Sequence, residues 1–129
     1  MLTKNNMAES LADRQTQSSR LRTKFKDRVP VIVNPATDRS TPPIDKNKYL
    51  VPSDLTFGEF MYVVRKRIKG GSLSANQALV GFARGVLPPT SKSMAELYSE
   101  NAEEDGFLYV VYSLENTFGA FHRLQTAKP

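Results

Sequence analysis

The chain has no cysteine and a single histidine, His122, among its 129 residues. Without thiols there is no disulfide, no thiolate metal site and no cysteine nucleophile. One histidine cannot form a histidine metal cluster, and its place ten residues or fewer from the end argues against a serine–histidine catalytic pair. No stretch approaches the roughly 18 apolar residues that a membrane-spanning helix needs. The opening "MLTKNNMAES" lacks the apolar core of a secretory signal, so a cytosolic location is expected. A phosphate loop, a zinc signature and a nucleophile elbow are also missing. The acid-rich stretch Glu103-Glu104-Asp105 reads as a solvated turn and not as a general acid–base pair, so an enzyme is not expected.

What remains is an ordinary globular composition, 40% hydrophobic and 24% charged, of a length suited to one domain. The net charge of +5 invites acidic partners. The basic runs are Arg20-Leu21-Arg22-Thr23-Lys24 and Arg65-Lys66-Arg67. Each fits the solvated face of an amphipathic helix, and the aromatics fall at core-like spacings instead of beside the cations, which disfavours nucleic acid.

Ser10 and Asp13 have capping-box spacing, with Leu11, Arg14, Ser18, Leu21 and Phe25 on one side of a helix of thin apolar stripe. "RVPVIVN" reads as a strand in which Pro30, lacking an N–H, suggests a sheet margin or a strand start. "DKNKYLVP" (45–52) reads as a second strand. Thr56 and Glu59 cap the strongest helix, with Phe57, Phe60, Met61, Val64 and Ile68 at helical spacing and Gly70-Gly71 as its stop. "ALVGFA" (78–83) is a short strand, Ser93 and Glu96 cap a short helix, and "GFLYVVYSL" (106–114) reads as a strand buried on both faces. Helix, strand, strand, long helix, strand, short helix, strand is the order of a ubiquitin-like β-grasp with an added N-terminal helix. The expected class is therefore α+β, a four-stranded mixed sheet with packing helices.

The second strand admits two readings. Lys46 and Lys48 beside Tyr49 and Leu50 could mark an open edge that templates an incoming extended peptide. Equally, lysines guard an edge against aggregation, and the pattern alone favours that reading. Phe118-Gly119 is by itself an ordinary turn pair. Its position after the last strand makes a reactive terminus conceivable, because glycine has no Cβ to hinder an approaching amine.

Long blocks then carry a resemblance: "KDRVPVIV" (26–33), "DKNKYLVPSDLTFGEFMYVVRKRI" (45–68), "LPPTSKSMAELYSENAEEDGFLYVVYS" (87–113) and "FG" (118–119). Over residues 20–119 the chain resembles the autophagy ubiquitin-like modifiers, the family of microtubule-associated protein light chain 3 and the GABA receptor-associated protein. The resemblance implies three parts: an N-terminal tail and helical extension (1–24), a β-grasp domain (25–119) and a propeptide (120–129). A cysteine protease of the pathway would cut after Gly119, recognising Phe118. E1-like and E2-like enzymes would pass the new carboxylate to phosphatidylethanolamine, placing the chain on autophagosomal membranes, with no cofactor of its own. The alternative is an unconjugated β-grasp adaptor for trafficking or the cytoskeleton that only binds peptides.

The resemblance also implies that the strand edge receives cargo receptors bearing aromatic-x-x-aliphatic motifs, which reverses the guarded-edge reading. Leu21, Pro30, Ile32, Lys48, Leu50 and Phe107 would line the aromatic pocket. Tyr49, Val51, Pro52, Leu55, Phe60 and Val63 would line the aliphatic one, and Arg28, Lys46 and Lys48 would meet acidic residues of the motif. The chain departs from the family in lacking a His-Pro-Phe stretch near its start and in carrying "KGGSLSANQ" (69–77), about three residues longer than usual. Gln17 also stands where an acid commonly borders the aromatic pocket.

Overall fold

A computed structural model describes residues 9–37, 41–68 and 78–114. Among these residues three helices and four strands follow one another as α1 (Leu11–Lys24), β1 (Arg28–Pro35), β2 (Lys48–Pro52), α2 (Phe57–Arg67), β3 (Leu79–Phe82), α3 (Met94–Asn101) and β4 (Leu108–Leu114). Each helix starts on a complete capping box. The side chains of Ser10, Thr56 and Ser93 accept the N–H groups of Asp13, Glu59 and Glu96, whose carboxylates accept the cap N–H in return. Two otherwise orphaned donors are thereby satisfied at each helix start. The stop of α2 is Ile68, held by Arg65, while Gly70 and Gly71 lie outside the described residues.

The strands form one mixed sheet in the order β2-β1-β4-β3. β1 and β4 run parallel in the middle, and β2 and β3 are antiparallel edges. On one face, Val29, Val31 and Val33 of β1 and Leu108, Val110 and Tyr112 of β4 meet Phe57, Phe60, Met61 and Val64 of α2 and Met94 and Leu97 of α3. Side chains alternate across a strand, so Pro30 and Ile32 point to the opposite face. They are nonetheless buried, because α1 lies over that side. This double cover explains why β1 reads as an unbroken apolar run. The cover is incomplete over β4: Val111 is 38% exposed, so the expected burial of both faces holds only in part.

Of the two places expected for Pro30, the sheet margin is not met, while it does stand near the start of its strand. It sits in an interior strand, paired with Leu50 of β2, at a point where the parallel ladder to β4 has not begun. The Ala36 N–H bonds the Tyr112 carbonyl. Counting back by twos along both strands puts the Pro30 nitrogen opposite the Gly106 carbonyl. That carbonyl instead accepts the Tyr98 hydroxyl at 2.6 Å. A side chain thus supplies the hydrogen bond that proline cannot, and the strand tolerates it.

Candidate edge-strand peptide site

β2 pairs on one side only. The Val33 N–H bonds the Asn47 carbonyl at 2.8 Å, and with the observed register this assigns Asn47, Tyr49 and Val51 to β1. The backbone groups of Lys48 and Leu50 therefore face outward, ready for an added strand. Among the described residues one side chain interferes: Arg28 Nη1 donates to the Leu50 carbonyl at 3.4 Å.

Alternation divides the side chains of this edge between two faces. Lys48 and Leu50, with Pro52 by the same parity, share the α1 face with Pro30 and Ile32. Tyr49 and Val51 face α2. Two side chains three residues apart on an added strand also point to opposite faces, so an aromatic-x-x-aliphatic peptide would send one anchor to each side. On the α1 face, Phe107 (1% exposed), Pro30 and Ile32 form a buried floor, while half-buried Leu21, Lys48 and Leu50 rise around it. On the α2 face, Val51 and Phe60 belong to the core, half-buried Tyr49 and Leu55 stand above them, and Val63 is exposed. The Tyr49 ring meets Phe60 edge-on at 5.8 Å. Its hydroxyl is buried without a hydrogen-bond partner, and burial pushes its pKa up.

Arg28 and Lys46 are exposed, with Lys46 Nζ 5.6 Å from the centre of the Tyr49 ring. Lys48 is differently placed. Its ammonium lies 5.9 Å over the Phe107 ring and donates to Gln17 Oε1 at 3.1 Å and to both carboxylate oxygens of Glu9 at 3.3 and 3.4 Å. Gln17 Nε2 donates to Glu9 Oε2 at 2.7 Å. Glu9 was not legible as a site residue, since nothing local ties it to a strand 39 positions away.

The anchor of α1 was also missed. Asp105, expected in a solvated turn, is 3% exposed, a correction to that reading; its neighbours Glu103 and Glu104 are exposed. The Asp105 carboxylate accepts from Arg14 Nε at 2.9 Å, the Phe107 N–H at 3.0 Å and the Tyr109 hydroxyl, and its carbonyl accepts from Ser18 at 2.6 Å. Ser18 is the only buried residue of α1. The helix is thus pinned over the site chiefly by polar contacts.

Burial pushes the Asp105 pKa up, but the hydrogen bonds from Tyr109, Phe107 and Arg14 and the Arg14 charge outweigh it and hold it below the ordinary 3.8. Burial, and then the bond to Asp105, push Tyr109 up to about 12. Burial likewise pushes Tyr112 up to about 12; its hydroxyl donates to the Pro42 carbonyl. A depressed carboxyl contributes stability that is present above its unfolded pKa and lost as pH falls through the folded one. A raised phenol contributes stability present below pH 10 and lost towards pH 12. Urea unfolding at a series of pH values should therefore show constant stability from about pH 5 to 9, with losses below about pH 4 and above about pH 10. A profile still flat at pH 11 would contradict the phenol assignments.

Among the described residues there is no group of acidic, histidine or cysteine side chains able to hold a metal, and no helix is long and apolar enough to cross a membrane. Phe118, Gly119 and residues 120–129 lie outside the described residues, as do 69–77.

Residues 13–119 match the family model described as autophagy protein Atg8, ubiquitin-like. Autophagy-related protein 8c of Arabidopsis thaliana is 58% identical over 109 residues, covering 84% of this chain and 89% of that one. Autophagy-related protein 8A of Oryza sativa subsp. japonica is 56% identical over 110 residues, 85% and 90% of the two chains. Among solved structures, Trypanosoma brucei ATG8 superposes with a TM-score of 0.77 at 38% identity, over 87% of this chain and 94% of that one. Plasmodium falciparum Atg8, solved in complex with a Plasmodium falciparum Atg3 peptide, gives 0.72 at 30% identity, over 81% and 89%. A four-stranded β-grasp sheet, a free edge at β2 and these likenesses together make the chain a member of the Atg8 family of ubiquitin-like autophagy proteins.

Proposed function

We propose that this chain is a conjugated modifier. Residues 120–129 are removed by a cysteine protease that recognises Phe118. Gly119 is then carried by E1-like and E2-like enzymes to phosphatidylethanolamine on autophagosomal membranes. There the β2 edge recruits receptors and autophagy factors through aromatic-x-x-aliphatic motifs. The division is that of the resemblance: an N-terminal extension (1–24), the β-grasp domain (25–119) and the propeptide.

The observation that carries the reading is the open β2 edge with an apolar recess on each face, set in an Atg8-family fold. Backbone pairing supplies affinity, and the recesses read the two anchors. A Plasmodium relative solved with a peptide of Atg3 supports peptide recognition in this family. The exposed Arg28 and Lys46 suit acidic residues beside the motif.

The test is titration of a labelled aromatic-x-x-aliphatic peptide into the full chain. Leu50→Ala should weaken binding about tenfold, since removing a half-buried leucine forfeits roughly 1.4 kcal/mol of apolar burial. Unchanged affinity for that variant, or no binding to the parent chain, would remove the peptide-site reading. The rival adaptor reading shares this binding and differs in the fate of Gly119.

A further inference from the structure

The peptide site is given three cations, and the structure treats one of them differently. Among the described residues, Lys48 alone of Arg28, Lys46 and Lys48 is held by a carboxylate. That carboxylate belongs to Glu9, and it is well positioned. The Glu9 carbonyl accepts Arg14 Nη1 at 2.9 Å, its side chain accepts the Gln17 amide at 2.7 Å, and it directly precedes the Ser10 cap, where the helix N-terminus favours negative charge. Between Glu9 and Gln17, the Lys48 ammonium directs its donors at the chain itself, above the Phe107 floor of the first recess.

Resting on the peptide-site reading above, we propose that Glu9 is a built-in competitor for acidic peptide residues at Lys48, and so sets how strongly the site demands acid beside the motif. An incoming carboxylate aimed at Lys48 must first displace one already bound, whereas one aimed at Arg28 or Lys46 meets no such rival among the described residues. The site therefore discounts acidic residues that approach over the α1 face. The pair is partly exposed, with side-chain exposures of 41% for Lys48 and 24% for Glu9, so the effect is a modulation and not a block. Gln17, an uncharged side chain, bridges the two, donating to Glu9 and accepting from Lys48.

The test uses the full chain and two peptides sharing one aromatic-x-x-aliphatic motif, one preceded by three acidic residues and one by three serines. Glu9→Gln keeps the amide contact to Gln17 and removes the charge. It should tighten the acidic peptide about threefold, in the range measured for exposed ion pairs, while the serine peptide changes by less than about 1.5-fold. In a Lys48→Met background the same substitution should no longer distinguish the peptides. Weaker or unchanged binding of the acidic peptide to Glu9→Gln, or equal tightening of both peptides, would overturn the competitor role. If the parent chain binds neither peptide, the site itself fails and the inference with it. Binding of both peptides with no discrimination by Glu9→Gln sinks only the inference.

Discussion

A Gly119→Ala chain is expected to keep the mass of all 129 residues in cells and to yield no membrane-bound form. Under the proposed function, both events would require enzymes to close on the bond after residue 119. Glycine lets a narrow catalytic channel approach its carbonyl because no Cβ stands beside it, and the freed carboxylate meets an incoming amine with the least hindrance. A methyl group there would therefore obstruct the proposed cleavage and transfer alike. Leu114, the last described residue before Gly119, is buried and paired with Leu79. Intact-mass measurement of protein recovered from its own cells decides the matter. A lipid-modified Gly119→Ala species ending at residue 119 would refute the proposed terminus. An unmodified full-length parent chain would favour the peptide-binding adaptor.

The second large effect is expected at Asp105. Asp105→Ala should lower the unfolding free energy by about 2–4 kcal/mol, because the buried Phe107 N–H and the Tyr109 hydroxyl each lose a partner while Arg14 can turn to water. Asp105→Asn keeps an acceptor oxygen and should cost roughly 1 kcal/mol. The loss should concentrate on α1. The removed carboxylate is the partner that holds Arg14 of that helix, which leaves only the Ser18 bond to the backbone carbonyl of residue 105 as a buried polar tie. Gly106 has φ +85° and no room for a Cβ against Ser18, so the turn beneath the helix requires glycine. Hydrogen exchange should show the amides of α1 opening in Asp105→Ala while those of β1 and β4 keep most of their protection. Uniform loss across the sheet, or a stability change below about 1 kcal/mol, would show that α1 is held by its apolar side instead. Because Leu21 and Gln17 lie on α1, this variant should also weaken peptides whose aromatic residue enters the first recess.

The helix starts were legible from a few adjacent residues. All three capping boxes stood at their expected positions, Ser10, Thr56 and Ser93, because a cap is an exchange of bonds within one turn. The strands were legible from β-branched runs and proline stops, and their order along the chain pointed to the β-grasp before the wording of the family did. The identity of the peptide-site residues came from that wording and not from spacing. The sheet then explains why they work as two sets, since alternation along β2 sends Leu50 one way and Tyr49 the other.

Other features depended on the tertiary structure. Pro30 argued for a margin or a strand start; it stands near the start of β1, yet β1 is interior, and the Tyr98 hydroxyl occupies the carbonyl that a residue-30 N–H would have met. Asp105 looked solvated among acids until the fold brought Arg14 to it from 91 residues away. Glu9 showed no link to β2 until α1 crossed the sheet and set its carboxylate on Lys48. The sequence alone determined the elements, their order and the family, because caps, periodicities and motif wording are local. Only the tertiary structure decided how the charged groups pair, since an ion pair depends on where distant segments meet and leaves no periodic trace in either one.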